Sequence, residues 1–172
     1  MDTFEAVRTL LAVRSYQDKP VPEDSLRRIL EAGRLTASSM NGQPWHFLVV
    51  ENRNILRQLG SLLRTGPYVA QAPLAIVVVI DHTVYAISDA SRAIQSMLLT
   101  AWTDGLGSNW VGFGGLDQIK PLLGIPADVE VFAVLPIGYP AQDIKGRGKK
   151  KRKALAEVAY RERWGQPCAF AS

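Results

Sequence analysis

The stretch Ser38-Ser39-Met40-Asn41-Gly42-Gln43-Pro44-Trp45-His46-Phe47-Leu48-Val49-Val50 passes from small polar residues, through a Pro-Trp pair, into an apolar strand. A plain connection would need only turn residues at that point. Here hydroxyl and amide groups are gathered at the mouth of a strand, where they could read the polar edge of a planar ligand. The strand Phe47 to Val50 therefore anchors both the fold and the first candidate site.

Working outward, Leu74 to Ile80 (LAIVVVI) is apolar and largely β-branched, which predicts a central strand covered on both faces. Residues 2–12 carry Phe4, Val7, Leu10 and Leu11 at helical spacing. Pro20 to Ser25 is a helix entry, and Leu26, Ile29, Leu30 and Gly33 mark one face of a helix reaching about Leu35. Asn52 to Leu63 predicts a helix with Ile55, Leu59 and Leu62 inward. Asp89 to Thr103 predicts a strongly apolar, central helix closed by Gly105. Asn109 to Gly115 (NWVGFGG) predicts a short strand entering a glycine-rich turn. Leu116 to Leu123 predicts a short helix, and Val129 to Ile137 a further strand. The sum is one α+β domain over residues 1–172, with four or five strands between helices.

Composition excludes several classes. Apolar residues make up 47% and charged ones 21%, as in ordinary globular proteins. The longest apolar run, Leu74 to Ile80, is far short of the roughly 20 residues needed to span a bilayer, so no membrane association is expected. No signal peptide is predicted: Leu10 to Val13 is too short an apolar run, and Asp2 and Glu5 stand where basic residues should be. Cys168 is the single cysteine, which allows no internal disulfide and suits a cytoplasmic location. Two histidines, His46 and His82, make neither a metal site nor a nucleophilic triad. No dinucleotide-binding glycine motif or P-loop is present.

The net charge of +4 is local. Residues 145–153 hold seven of the 20 basic residues, and the rest of the chain has 13 basic against 16 acidic groups. A basic run alone supplies non-specific, salt-sensitive attraction to nucleic acid, and no aromatic platform interleaves it, so no specific nucleic-acid partner is expected. Three features remain: the Ser-Asn-Gln hairpin, the glycines of Val111 to Gly115, and the basic run, which could neutralise a phosphate. Each alone suits an ordinary turn or a solvated loop. Together they match the needs of flavin mononucleotide (FMN): an amide-rich ring edge, a flat ring face and a terminal phosphate.

Residues 13–50 resemble the opening of the nitroreductase family of FMN-dependent oxidoreductases. Further segments are similar in the same order: Asp89-Ala90 with Gln95 to Ala101, Gly105-Leu106-Gly107, Trp110-Val111-Gly112, Leu122 to Pro126, Ile137 to Pro140, and Arg152 to Val158. The resemblance implies a three-layer α/β/α fold with a mixed, mainly antiparallel sheet. It implies a homodimer with FMN at the interface, and a C-terminal tail, residues 159–172, wrapping the partner. NADH or NADPH would reduce the flavin, and a nitroaromatic, quinone or related acceptor would reoxidise it, in ping-pong fashion. The flavin carries the chemistry, so no catalytic side chain is expected.

Carried over by position, Ser38, Ser39, Met40 and Asn41 would lie on the flavin ring, with Gln43 a weaker candidate. Val111, Gly112, Gly114 and Gly115 would offer main-chain N–H groups near the reactive nitrogen. Lys150 and Arg152, assisted by Lys151, would hold the phosphate. Arg14 would approach the ring and, like other donors there, stabilise negative charge on the reduced flavin. The departure is upstream: in ungapped register, Leu10-Leu11-Ala12 stand where the family has Arg-Arg-Ser. An alternative register pairs Arg14 with Ser15 but needs a three-residue deletion. Only about eight residues separate Ile80 from Asp89, where many family members carry an extra helical excursion, so an open pocket is expected, with Tyr85 in its lining. The competing reading is a degenerate relative of the same fold that binds flavin weakly, or another ligand, with little turnover.

Overall fold

A computed structural model describes residues 1–142 and 150–169. Its centre is the strand foreseen at Leu74–Ile80, here β2, in which every residue is buried. Strand β1, Trp45–Val50, pairs with β2 on one side. Strand β4, Glu130–Gly138, pairs with it on the other and carries the two-residue β3, Gly107–Ser108, at the far edge. All three pairings are antiparallel. The parallel component of the sheet is an isolated bridge between Ala12 and Ser108.

The period of β2 builds the three layers. Leu74, Ile76, Val78 and Ile80 face one core, while Ala75, Val77 and Val79 face another. On the first face lie α2, Glu23–Arg34, and α4, Ala86–Thr103, through Leu26, Ile29, Ile94 and Met97. On the second lie α3, Arg53–Leu62, and the 3-10 turn Pro67–Gln71. The pairing slips by one residue opposite Val78 and Val79. That bulge lets Val131 join the α3 face although Ala133, Leu135 and Ile137 serve the α4 face. The other α-helices among the described residues are α1, Thr3–Thr9, and the short α5, Lys120–Leu123.

Three expectations shift. The inward face of α3 is Leu56, Leu59 and Gly60, with Leu63 buried just past its end, while Ile55 and Leu62 are half-buried. Asn52 caps the helix by accepting from the N–H groups of Asn54 and Ile55, and Gly60 packs close against Ala70. Helix α1 ends at Thr9, so Leu10 and Leu11 lie beyond it in extended chain. The strand foreseen over 109–115 is reduced to β3 plus a single bridge from Val111 to Val134. Among the described residues no helix is long and apolar enough to cross a membrane.

Candidate functional site

The stretch read from sequence as a polar hairpin is a 3-10 turn, Ser39–Asn41, between α2 and β1, and its backbone is unusually constrained. Met40, Asn41 and Gln43 all have positive φ, at 53°, 54° and 47°, a region that side chains other than glycine seldom occupy. Such strain persists only where the surroundings enforce it. Local bonds do part of this: the Gln43 N–H donates to Ser38 Oγ at 3.0 Å, and the Asn41 N–H to Ser38 O at 3.1 Å. The larger anchor is Asp89 in the first turn of α4, only 1% exposed. Its carboxylate accepts from the Ser39 N–H and the Ser39 hydroxyl, both at 3.0 Å, and from Arg92. Burial pushes the Asp89 carboxyl upward, but the Ser39 hydrogen bonds and the Arg92 guanidinium outweigh it and hold the group below the usual carboxylate range. The hairpin is thus pinned from beneath while its tip stays open, with Met40 93% exposed and Asn41 exposed beside it.

A second assembly lies elsewhere on the chain. A cavity of about 1450 Å³ runs between α1, the edge strand β3 and the segment after β4. Leu10, Leu11, Leu98, Trp102 and Trp110 give it apolar and aromatic walls, and Arg8, Lys150 and Arg152 give it three cations. Trp102 Nε1–H donates to Thr9 Oγ1 at 2.9 Å and fixes the end of α1. The Lys150 ammonium donates to Val7 O at 2.6 Å, joining the basic run to α1. Burial lowers Lys150 below the ordinary lysine value, and the nearby charges of Arg152 and Arg8 act in the same direction.

Of the residues expected from sequence to bind the flavin, Lys150 and Arg152 line this cavity, together with the departing Leu10, Leu11 and Ala12. Ser38, Ser39, Met40, Asn41 and Gln43 form the separate hairpin, and Arg14 is exposed outside the cavity. Val111 is corrected as a donor: its N–H is spent on Val134 O at 3.0 Å, and its side chain is buried. Gly114 and Gly115 line a smaller cavity of about 330 Å³ near Glu130. Gly112 sits against the Trp110 ring. Tyr85 is half exposed and away from the large cavity. Lys145, Arg147 and Lys149 of the basic segment, and residues 170–172 of the tail, lie outside the described residues. His46 Nε2 pairs with Asp81 at 3.0 Å on the surface. Among the described residues no group of three or more metal-ligating side chains forms.

Sequence reading missed Arg8, Trp102 and the anchoring role of Asp89. An aspartate in the first turn of an apolar helix was a usable signal for the last, since so buried a carboxylate requires partners.

The nitroreductase family model matches residues 11–81 and 64–139. A Methanothermobacter thermautotrophicus protein provisionally named NADH dehydrogenase/NAD(P)H nitroreductase is 38% identical over 152 residues, covering 83% of this chain and 80% of its own. The FMN reductase [NAD(P)H] of Bacillus subtilis is 26% identical, covering 88% of this chain and 70% of its own. A provisionally named nitroreductase from Desulfovibrio desulfuricans, solved in complex with FMN, superposes with a TM-score of 0.80 at 32% identity, over 95% of this chain and 98% of that one. The chain belongs to the nitroreductase family.

Proposed function

We propose that this protein is an FMN-dependent oxidoreductase that takes electrons from NADH or NADPH and passes them to nitroaromatic, quinone or related acceptors in a ping-pong cycle. The observation that carries the reading is the large cavity, with aromatic and aliphatic walls for a ring system and a cluster of cations for a phosphate. The donor set suits the group: Lys150 donates to Val7 O and Arg152 to Lys151 O, both main-chain oxygens, and Glu5, the carboxylate among the described lining residues, is paired with Arg8. The named activities of the relatives, NAD(P)H nitroreductase and FMN reductase, support the same class.

When bound, FMN supplies the hydride chemistry. The chain's own residues then have distinct tasks. Lys150 and Arg152 hold the phosphate through charge-assisted contacts. The open tip of the hairpin, Ser38 to Gln43, presents hydroxyl and amide groups to the polar edge of a ring, and Asp89 fixes its shape. In one chain the hairpin and the cation cluster belong to separate surfaces, since none of its residues lines the large cavity. A second copy supplying its hairpin to the first copy's cavity joins the two halves, so the working unit is a homodimer. Exposed Leu155, Val158 and Trp164 on the C-terminal segment offer apolar surface for that association.

Leu10, Leu11 and Ala12 in the cavity wall favour one other reading, a relative that has lost tight flavin binding. Reconstitution separates the two. The protein is incubated with FMN, desalted, and its visible spectrum recorded, and NADH and NADPH oxidation is then followed with a quinone or nitroaromatic present. Stoichiometric flavin with acceptor-dependent turnover supports the oxidoreductase. A folded dimer without retained flavin supports the degenerate relative.

A further inference from the structure

In the wall where the family resemblance leads one to expect Arg-Arg-Ser, this chain offers the alkyl groups of Leu10, Leu11 and Ala12. None can hydrogen-bond to an anion through its side chain. Two residues before them, in the last turn of α1, Arg8 lines the same cavity as Lys150 and Arg152. Lys150 is tied to the carbonyl of Val7, the residue adjoining Arg8, so the helix end and the C-terminal segment are held together at this point. Three cations are gathered in one cavity, and among the described lining residues one carboxylate relieves their repulsion. Glu5 lies one turn earlier and accepts two hydrogen bonds from Arg8, Nε–H at 2.8 Å and Nη2–H at 2.7 Å. That pair lies largely in solvent, with side chains 61% and 40% exposed, so it is weakly held and open to competition.

We infer that Arg8 is a phosphate-binding residue of the flavin site, replacing the donors lost at Leu10 and Ala12, and that Glu5 competes with the phosphate for its guanidinium. This inference rests on the FMN reading above. A phosphate monoester carries nearly two negative charges and three acceptor oxygens, which outbid one carboxylate for the fork of an arginine already beside two other cations. The exchange also separates Glu5 from the guanidinium without burying it, because Glu5 retains solvent access.

The test is the affinity of unliganded protein for FMN and for riboflavin, which lacks the phosphate, measured by quenching of flavin fluorescence. Wild type, Arg8→Gln, Arg8→Lys and Glu5→Gln are compared, with circular dichroism confirming that each is folded. Loss of one charge-assisted contact corresponds to roughly a tenfold to hundredfold weaker FMN binding. Arg8→Gln is expected to lose that on FMN and nothing on riboflavin. Arg8→Lys should recover part of the loss, and Glu5→Gln should tighten FMN alone. Equal affinity of Arg8→Gln and wild type for FMN overturns the inference, as does an equal loss on both flavins. A change confined to the NADPH over NADH preference, with FMN affinity intact, would assign Arg8 to the nicotinamide donor and also overturn it. If wild type binds neither flavin, the FMN reading itself fails. If wild type binds FMN and Arg8→Gln binds it equally, only the role of Arg8 fails.

Discussion

Replacing Gly115 by alanine places a methyl group where the backbone has no room for one. The residue has φ of +96°, and an ideal Cβ would lie 2.1 Å from Leu62 O and 3.0 Å from Leu62 C. Those are main-chain atoms at the end of α3, so no side-chain rotation relieves the contact. Gly124 is the internal control: it has φ of +64°, and nothing lies within 4 Å of its Cβ position. Alanine at Gly124 costs only the left-handed conformation, about 1–2 kcal/mol. Alanine at Gly115 carries a similar conformational cost and must also displace backbone, adding about 1–3 kcal/mol, the usual range for overpacking. For a domain of this size each kcal/mol lowers Tm by roughly 2–4 °C. The Gly115→Ala protein should therefore melt about 2–12 °C below the Gly124→Ala protein in a circular-dichroism thermal scan. It should also release Phe113 O from the Thr65 hydroxyl, a 2.7 Å hydrogen bond in the same turn. Equal melting temperatures for the two variants would refute the reasoning, because the packing difference would then have no energetic consequence.

Other outcomes follow from the same geometry. Asp89→Asn removes the charge that holds Ser39 and Arg92, so amide hydrogen exchange over residues 38–43 should accelerate and FMN affinity fall. Because the Asp89 carboxyl is held low in the folded chain, its anchoring persists above the ordinary carboxylate pKa near 4. It is lost as pH falls through the lower folded value, and exchange in the hairpin should rise there. Tyr16 is buried, with its hydroxyl donating to Val13 O at 2.7 Å, and burial pushes its pKa far up. Its contribution is therefore complete below pH about 10 and declines as pH rises beyond that, so Tyr16→Phe should flatten the alkaline loss of stability seen in urea titrations. Arg152→Gln should lower FMN retention after desalting while leaving the melting temperature of the unliganded protein within about 2 °C, as expected of an exposed group. Lys150→Met should lower retention and also lose the bond to Val7 O, a cost of about 1 kcal/mol.

Much of the fold was legible because the strongest signals were local. LAIVVVI could hardly be other than a central strand, and the apolar stripe of α4 fixed a helix against it. The exact face of α3 was not legible, since Ile55, Leu59 and Leu62 share the helical period with Leu56, Leu59 and Leu63, and the core packing that chooses between them is not local. The two-residue β3 escaped for a similar reason: its pairing is set by β4, across some 30 residues, and owes little to its own composition. Within the candidate site, hydroxyl and amide side chains at 38–43 stood out in sequence. Their positive φ angles and their tie to Asp89 did not, because they depend on a residue about 50 positions away. Arg8 was hidden by an ordinary-looking Glu5–Arg8 helix pair, and its company with Lys150 and Arg152 exists only once the chain has folded. Val111 failed as a donor through a bridge to Val134 that its glycine-rich surroundings do not announce.

The most direct test of the central claim is an anaerobic spectral titration of the FMN-loaded protein with NADH and with NADPH. At least one donor should bleach the visible absorbance of the bound flavin, and a quinone or nitroaromatic should then restore it without oxygen. Bound flavin that neither nucleotide bleaches would contradict the proposed activity.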